Sequence, residues 1–257
     1  MIAALALALA AAADTGATAP GPQPDSAAGV SWRAGLEYGF ESFTVARAAW
    51  QTWTARLERK VARGSIALEL VDATRFSLWD QGAALDGYRT LWRGAYGNLR
   101  VGVAPGARVT PRLDLTAEVY QAIRGGWEAS AGYRRMNYPG EGVDLWSGSL
   151  GKYAGDWYVV AHATAVPRSG RLGGGVWLLV RRYLATADDY VDLSGGVGSE
   201  VATLAVDSVA VSHADFLAAR AQHFVTPRLG LTLGATWNTQ QGIPARRGLA
   251  LGVVYRW

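Results

Sequence analysis

The chain has 257 residues, half of them hydrophobic, with 11 Trp, 11 Tyr, 32 Gly and no Cys. Charged residues make up 18% and the formal net charge is +4, which speaks against a disordered chain, and the absence of Cys excludes a disulfide framework and thiolate metal sites. The longest uncharged apolar run, 2–13, is shorter than the roughly 18 residues of a spanning helix, so an all-β protein, soluble or membrane-spanning, is left.

Residues 2–13 read Ile-Ala-Ala-Leu-Ala-Leu-Ala-Leu-Ala-Ala-Ala-Ala, with small residues just before Asp14. That is the apolar region and cleavage site of a secretory signal peptide, expected over 1–13, although no Lys or Arg precedes it. Residues 14–30 are rich in Ala, Gly and Pro and are expected to be a flexible periplasmic linker. The fold is therefore sought in 31–257. There the apolar residues recur with period two. Trp32, Ala34, Leu36, Tyr38 and Phe40 alternate with Arg33, Gly35, Glu37, Gly39 and Glu41. The same alternation runs through Leu113–Val119, Trp127–Tyr133, Leu229–Trp237 and Leu249–Trp257. Successive side chains of a strand point to opposite faces, so each segment has one apolar and one polar face.

Some fourteen strands (12–16) are expected: 31–42, 46–60, 64–76, 84–93, 95–104, 112–123, 126–137, 142–154, 156–166, 173–184, 188–199, 209–225, 228–240 and 246–257. A change of apolar face near Asp215 suggests a bulge, and Gly173-Gly-Gly175 a bend or bulge. The joints look alternately tight (Ala62-Arg63, Gly94, Arg124-Gly125, Gly155) and longer (77–83, 105–111, 138–141, 167–172, 200–208, 241–245). A barrel with two unlike rims has that pattern. Strands of ten or more residues suit a tilted crossing of a bilayer. Trp32, Trp127, Trp157, Tyr158, Tyr255 and Trp257 stand at strand ends, where amphipathic rings favour the headgroup region. The fold class expected is all-β: a closed, antiparallel, up-and-down transmembrane β-barrel in a bacterial outer membrane. A secreted β-sandwich is the alternative, but its outward faces should be polar.

Gly126-Trp-Glu-Ala-Ser-Ala-Gly-Tyr-Arg134, Gly148-Ser-Leu-Gly-Lys-Tyr153, Arg181-Arg-Tyr-Leu184, Asp188-Asp-Tyr190, Gly196-Val-Gly198 and the aromatic last strand resemble the YaiO family of outer-membrane β-barrel proteins over 31–257. The resemblance implies outer-membrane location and no established activity. Outer-membrane lipid and lipopolysaccharide are the expected surroundings, and the barrel assembly machinery is expected to meet the last strand.

In a barrel the polar face lines the interior. The candidate lumen-lining residues are Arg33, Glu37, Arg56, Glu69, Arg100, Asp114, Glu118, Glu128, Arg134 and Arg256. Glu118, Glu128 and Arg134 lie close in sequence on two adjoining strands and are expected to come together across a hairpin. Both signs occur in similar number, which fits a charge network that fills the lumen or a narrow hydrated pore without strong ion selectivity. Fourteen strands fall between filled eight-stranded barrels and open porins of 16–18. The expected function is a narrow conduit for small solutes or saccharides, accessory to cell-surface polysaccharide handling. A closed structural barrel is the alternative. A lipid-active enzyme is the third reading, on His213, Asp215 and nearby Ser208 or Ser212. No phosphate loop, dinucleotide fingerprint or metal-ligand spacing occurs, so no cofactor is expected. The cations are scattered arginines rather than a block, so nucleic acid is not an expected partner.

Overall fold

Strands with such unlike faces need lipid on one side and partners for buried charge on the other. The chain meets both needs by closing on itself. In a computed structural model, which describes residues 32–168, 171–205 and 208–257, fourteen antiparallel strands form one closed barrel. They are β1 (Trp32–Phe43), β2 (Trp50–Val61), β3 (Gly64–Arg75), β4 (Leu78–Trp92), β5 (Ala95–Val103), β6 (Leu113–Ile123) and β7 (Trp127–Tyr138). There follow β8 (Glu141–Ala154), β9 (Trp157–Arg168), β10 (Arg171–Tyr183), β11 (Tyr190–Ala205), β12 (Ser208–Phe224), β13 (Leu229–Gln240) and β14 (Ile243–Arg256). Each strand pairs with its neighbours in sequence, and β1 closes on β14 from Arg33↔Arg256 to Phe43↔Arg246. The expected signal peptide and linker lie outside the described residues.

The barrel is apolar outside and polar inside. On β14, Leu249 and Leu251 are 61% and 60% exposed, while Arg246 and Arg256 are 1% and 6% exposed. A soluble sandwich would have this reversed. Outward Leu229, Leu231, Leu233, Ala235 and Trp237 span eight residue steps, about 27 Å along a strand. At a tilt of roughly 35–45° that spans about 19–22 Å of the membrane normal, somewhat less than the apolar band about 25 Å tall of such barrels.

Strand bounds differ from expectation at one rim. Trp32 and Trp257 mark the terminal rim; the opposite one is the far rim. At the far rim 77–83 is not a loop: Phe76 and Ser77 turn the chain, and β4 starts at Leu78. Likewise β7 and β8 are joined by 139–140, and β13 and β14 by 241–242. The expected alternation of short and long joints is therefore not found. Two-residue turns occur on both rims, since 62–63, 93–94 and 155–156 lie at the terminal one. The reason is that the ladders run on past the apolar band. Polar outward residues such as Gln81, Asp144 and Asp215 belong to strands rather than loops.

No bulge occurs at Asp215 or at Gly173–Gly175; both ladders are regular there. Register shifts fall instead at Thr203/Ala205, Thr90/Trp92 and Asn238/Gln240. Among the described connections, 44–49 and 104–112 at the far rim and 184–189 at the terminal rim are the longest.

Candidate functional site

The candidate site is the inner wall of the barrel. Strand parity turns all ten candidate lumen residues inward, where most of them meet an opposite charge. Arg56 on β2 reaches Asp86 at 3.0 Å and Glu69 at 3.4 Å, and Arg100 on β5 reaches Glu69 at 2.5 Å. Asn98 donates to Asp86 at 2.7 Å, completing a network over four strands. Arg134 grips Asp114 with two hydrogen bonds of 2.8 and 2.6 Å. This forked geometry is the strong form of the ion pair. Arg220, which the sequence reading did not single out, donates to Glu37 at 2.8 Å.

The expected cluster of Glu118, Glu128 and Arg134 does not form. Asp114 lies on the same rung as Met136, two residues from Arg134, and takes the guanidinium. Glu118 instead accepts from Tyr120 and Ser130, both at 2.7 Å. Glu128 accepts from Tyr158 at 3.2 Å and Tyr96 at 3.4 Å.

Arg33 and Arg256 meet a partner outside the strands. Both donate to Asp188 of segment 184–189, Arg33 at 2.5 Å. Ala187, Asp188 and Asp189 are buried, so this segment folds into the terminal mouth. Gln222 donates to the Asp188 carbonyl at 2.8 Å. Asp189 accepts from the Phe224 N–H at 2.7 Å and lies 3.0 Å from His223 Nδ1.

A second segment folds into the far mouth. Asp80 accepts from the N–H groups of Arg108, Val109 and Thr110 and from the Thr110 hydroxyl. Ala107 and Val109 are fully buried beneath it. Beside it Trp50 packs edge-on against Phe43 and Phe76, with Arg75 and Arg246 over its ring at 5.0 and 4.9 Å.

Sequence reasoning missed an arc of inward tyrosines and placed one of them, Tyr158, at the membrane rim, whereas strand parity turns it inward to Glu128. Tyr88, Tyr96, Tyr120, Tyr153, Tyr158, Tyr183 and Tyr190 stand on β4, β5, β6, β8, β9, β10 and β11. Tyr96 stacks on Tyr120 at 4.4 Å, and Tyr153 on Tyr158 at 4.2 Å. Arg181 lies 3.9 Å over Tyr190 and pairs with Asp192 at 2.7 Å. With one ring per strand, no sequence motif announces the arc. The only signal was an aromatic on the otherwise polar parity. Elsewhere the inner wall is built from small residues: Ser130, Gly132, Ser147, Ser149 and Thr164 on one side, Gly39, Thr52, Thr54, Thr236 and Gly248 on the other. His162 stacks on Trp177 at 3.7 Å. A Cβ at Gly196 would collide with Trp177 and with the Phe216 ring, so glycine lets these rings cross the wall.

The enzyme candidates are not assembled. His213 and Asp215 are 3.3 Å apart but lie on the outer face, both well exposed. Ser212 faces inward and bonds Gln240 at 3.0 Å. Adjacent strand residues point opposite ways, so Ser212 cannot reach His213 as a nucleophile reaches its base. The Ser208 side chain is outside what the structure describes. Among the described residues no group of three or more His, Asp and Glu has metal-site geometry.

The other five rim aromatics sit on the outer face at the terminal rim. Trp32 stacks on Trp257 at 6.4 Å, and Tyr255 lies 5.7 Å from Trp257. Cations cover three rings: Arg59 on Trp32, Lys152 on Trp127 and Arg182 on Trp157. A second outward set, nearer the far rim, was not foreseen. It holds Tyr38–Trp53, Tyr133–Trp146 and Trp237 under Arg247.

The model of the YaiO membrane β-barrel domain matches residues 32–201. The chain belongs to that family. No curated protein matches it. Among solved structures, this YaiO-family barrel is similar to the Acinetobacter baumannii outer membrane protein Omp33, at 12% identity and a TM-score of 0.53, over 89% of this chain and all of that one. It is also similar to Pseudomonas aeruginosa OpdO, at 11% identity and a TM-score of 0.51, over 89% and 96% of the two chains. A bacterial polysaccharide outer membrane secretin gives 8% identity and a TM-score of 0.51, over 88% and 98%. At these identities the likeness is one of fold. The protein is an outer-membrane β-barrel of the bacterial envelope.

Proposed function

We propose that this YaiO-family barrel is a narrow conduit for small solutes, with saccharides as the favoured class. The observation that carries the reading is the inner wall. A barrel that only needed sealing would fill fourteen strands' worth of interior with large side chains. Here columns of Gly, Ser and Thr stand beside the ion pairs, and cavities of ≈ 100 and ≈ 60 Å³ adjoin the inner wall. The tyrosine arc adds flat aromatic faces, and Glu118 and Glu128 add acceptors among hydroxyls. Those are groups that hold sugar rings by stacking and hydrogen bonding. No catalytic step belongs to this reading. In this reading the terminal rim faces the periplasm, which the secretion signal and linker expected before Trp32 support. Lipopolysaccharide covers the opposite side, and the Tyr255–Trp257 end of β14 is what the assembly machinery meets.

Refolded protein in planar bilayers is the test. Small, reproducible conductance steps are expected, together with swelling of liposomes in monosaccharide solutions. A heat-modifiable, folded preparation that gives neither would sink the conduit. It would favour a closed barrel, for which segments 104–112 and 184–189 in the two mouths are the supporting observation.

A further inference from the structure

Arg75 is an exception among the inward arginines. It is 1% exposed, at the end of β3 beneath the far mouth. Among the described residues no carboxylate lies within 4.0 Å of it, and its Nε and Nη1 have no hydrogen-bond partner. Its described contact is the Trp50 ring, 5.0 Å away. The acids whose charge reaches it are Glu41 and Asp80. Both are engaged elsewhere: Glu41 lies 3.9 Å from Arg246, and Asp80 is held by the backbone of 104–112. A buried cation left without a partner is costly and calls for a compensating charge. Arg75 also lines two cavities, of ≈ 100 and ≈ 60 Å³.

We propose that Arg75 is the anchor of a lumenal binding site for a small hydroxylated carboxylate. The planar N–H edge of a guanidinium matches a carboxylate, which would supply the missing acceptor. One uncompensated positive charge with acids nearby suits a monoanion better than a doubly charged phosphate. Thr52, Thr54 and Thr236 line the larger cavity and offer hydroxyls to the rest of the ligand. The site is independent of conduction, because a ligand can bind in the lumen whether or not it passes through.

The test uses the full chain refolded in detergent micelles, with folding checked by heat-modifiable mobility. Lactate, glucuronate, glucose and inorganic phosphate are titrated by calorimetry and by tryptophan fluorescence, for which Trp50 is the adjacent reporter. Saturable binding of lactate or glucuronate is expected, with none for glucose. In Arg75→Gln the affinity should fall at least about tenfold, a change of about 1.4 kcal/mol. If Arg75→Gln does not refold, Arg75→Lys takes its place, because an ammonium lacks the fork and must bind more weakly. Absence of carboxylate binding to the native chain would overturn the proposal. So would unchanged affinity in whichever variant folds, or phosphate binding as tight as the carboxylates.

Discussion

At the scale of single residues, the interior charges act as matched pairs whose halves are not interchangeable. Removing Asp114 alone leaves the Arg134 guanidinium buried without its forked partner. Asp114→Ala is therefore expected to lower stability by about 3–5 kcal/mol, whereas Asp114→Leu combined with Arg134→Met should come close to neutral. Urea unfolding of refolded protein, followed by tryptophan fluorescence, distinguishes the two. A second residue-scale cost sits in the β3–β4 turn. Phe76 and Ser77 both adopt positive φ, 51° and 60°, where a Cβ is unfavourable. The Phe76 ring offsets its share by packing on Trp50 at 5.1 Å. Ser77 has no such contact among the described residues, so Ser77→Gly should raise stability by about 1 kcal/mol in the same assay. This turn also shows why the strand bounds were misjudged. Asn-Gly or Asp-Gly would have marked a two-residue turn, but Phe-Ser gave no sign, and Asp80 and Gln81 just after it read as loop.

At the scale of elements, two connecting segments decide how open the barrel is. Segment 104–112 hangs on one carboxylate, Asp80, which accepts from three backbone N–H groups and a hydroxyl. Asp80→Ala removes all four bonds, and trypsin should then cut after Arg108 or Arg112 while the barrel stays heat-modifiable. Segment 184–189 depends on pH through Asp189. Burial alone would raise its carboxyl pKa, but donors from Thr186, the Phe224 N–H and His223 hold it below the usual carboxylate value. A lowered folded-state value means its contribution is complete above the ordinary carboxylate range and lost as pH falls through the lowered value. In the conduit reading, conductance should therefore be steady from neutral down to mild acidity and rise only on stronger acidification. Asp189→Asn should shift that behaviour to all pH values. The arrangement of strands was legible because the period-two parity holds along most of the described ladders and is interrupted near strand ends, at Thr90/Trp92, Thr203/Ala205 and Asn238/Gln240. The roles of the segments were not. Asp80 and Asp188 each act on groups far from them in sequence, 28–30 residues in one case and 68 or 155 in the other.

For the whole molecule, the inside-out arrangement sets what the outer face tolerates. Leu251 stands at the middle of an outward row on β14. Leu251→Arg should cost about 2–4 kcal/mol for a charge in the bilayer midplane, and the heat-modifiable band from an outer-membrane fraction should weaken accordingly. The lumen was only partly legible. The ten candidates do project into it, but sequence cannot say which cation meets which anion. Arg75 and Arg134 look alike as isolated letters on a polar face. Only the tilt and stagger of a closed sheet give one a forked partner and leave the other over a tryptophan, in the lining of two cavities.

The bridge from Asp188 to Arg33 and Arg256 bears on the order of assembly. Arg33 and Arg256 are direct cross-strand partners at the terminal end of the join between first and last strands. Like charges set opposite one another on a sheet repel, so the final rung of closure is unfavourable by itself. The acid that reconciles them comes from a hairpin made much earlier in the chain, between β10 and β11. Closing the terminal end of the join and filling the terminal mouth are thus coupled. A barrel lacking this carboxylate should fray at that rung, while the rest of the ladder from Ala34↔Tyr255 to Phe43↔Arg246 still holds the cylinder closed.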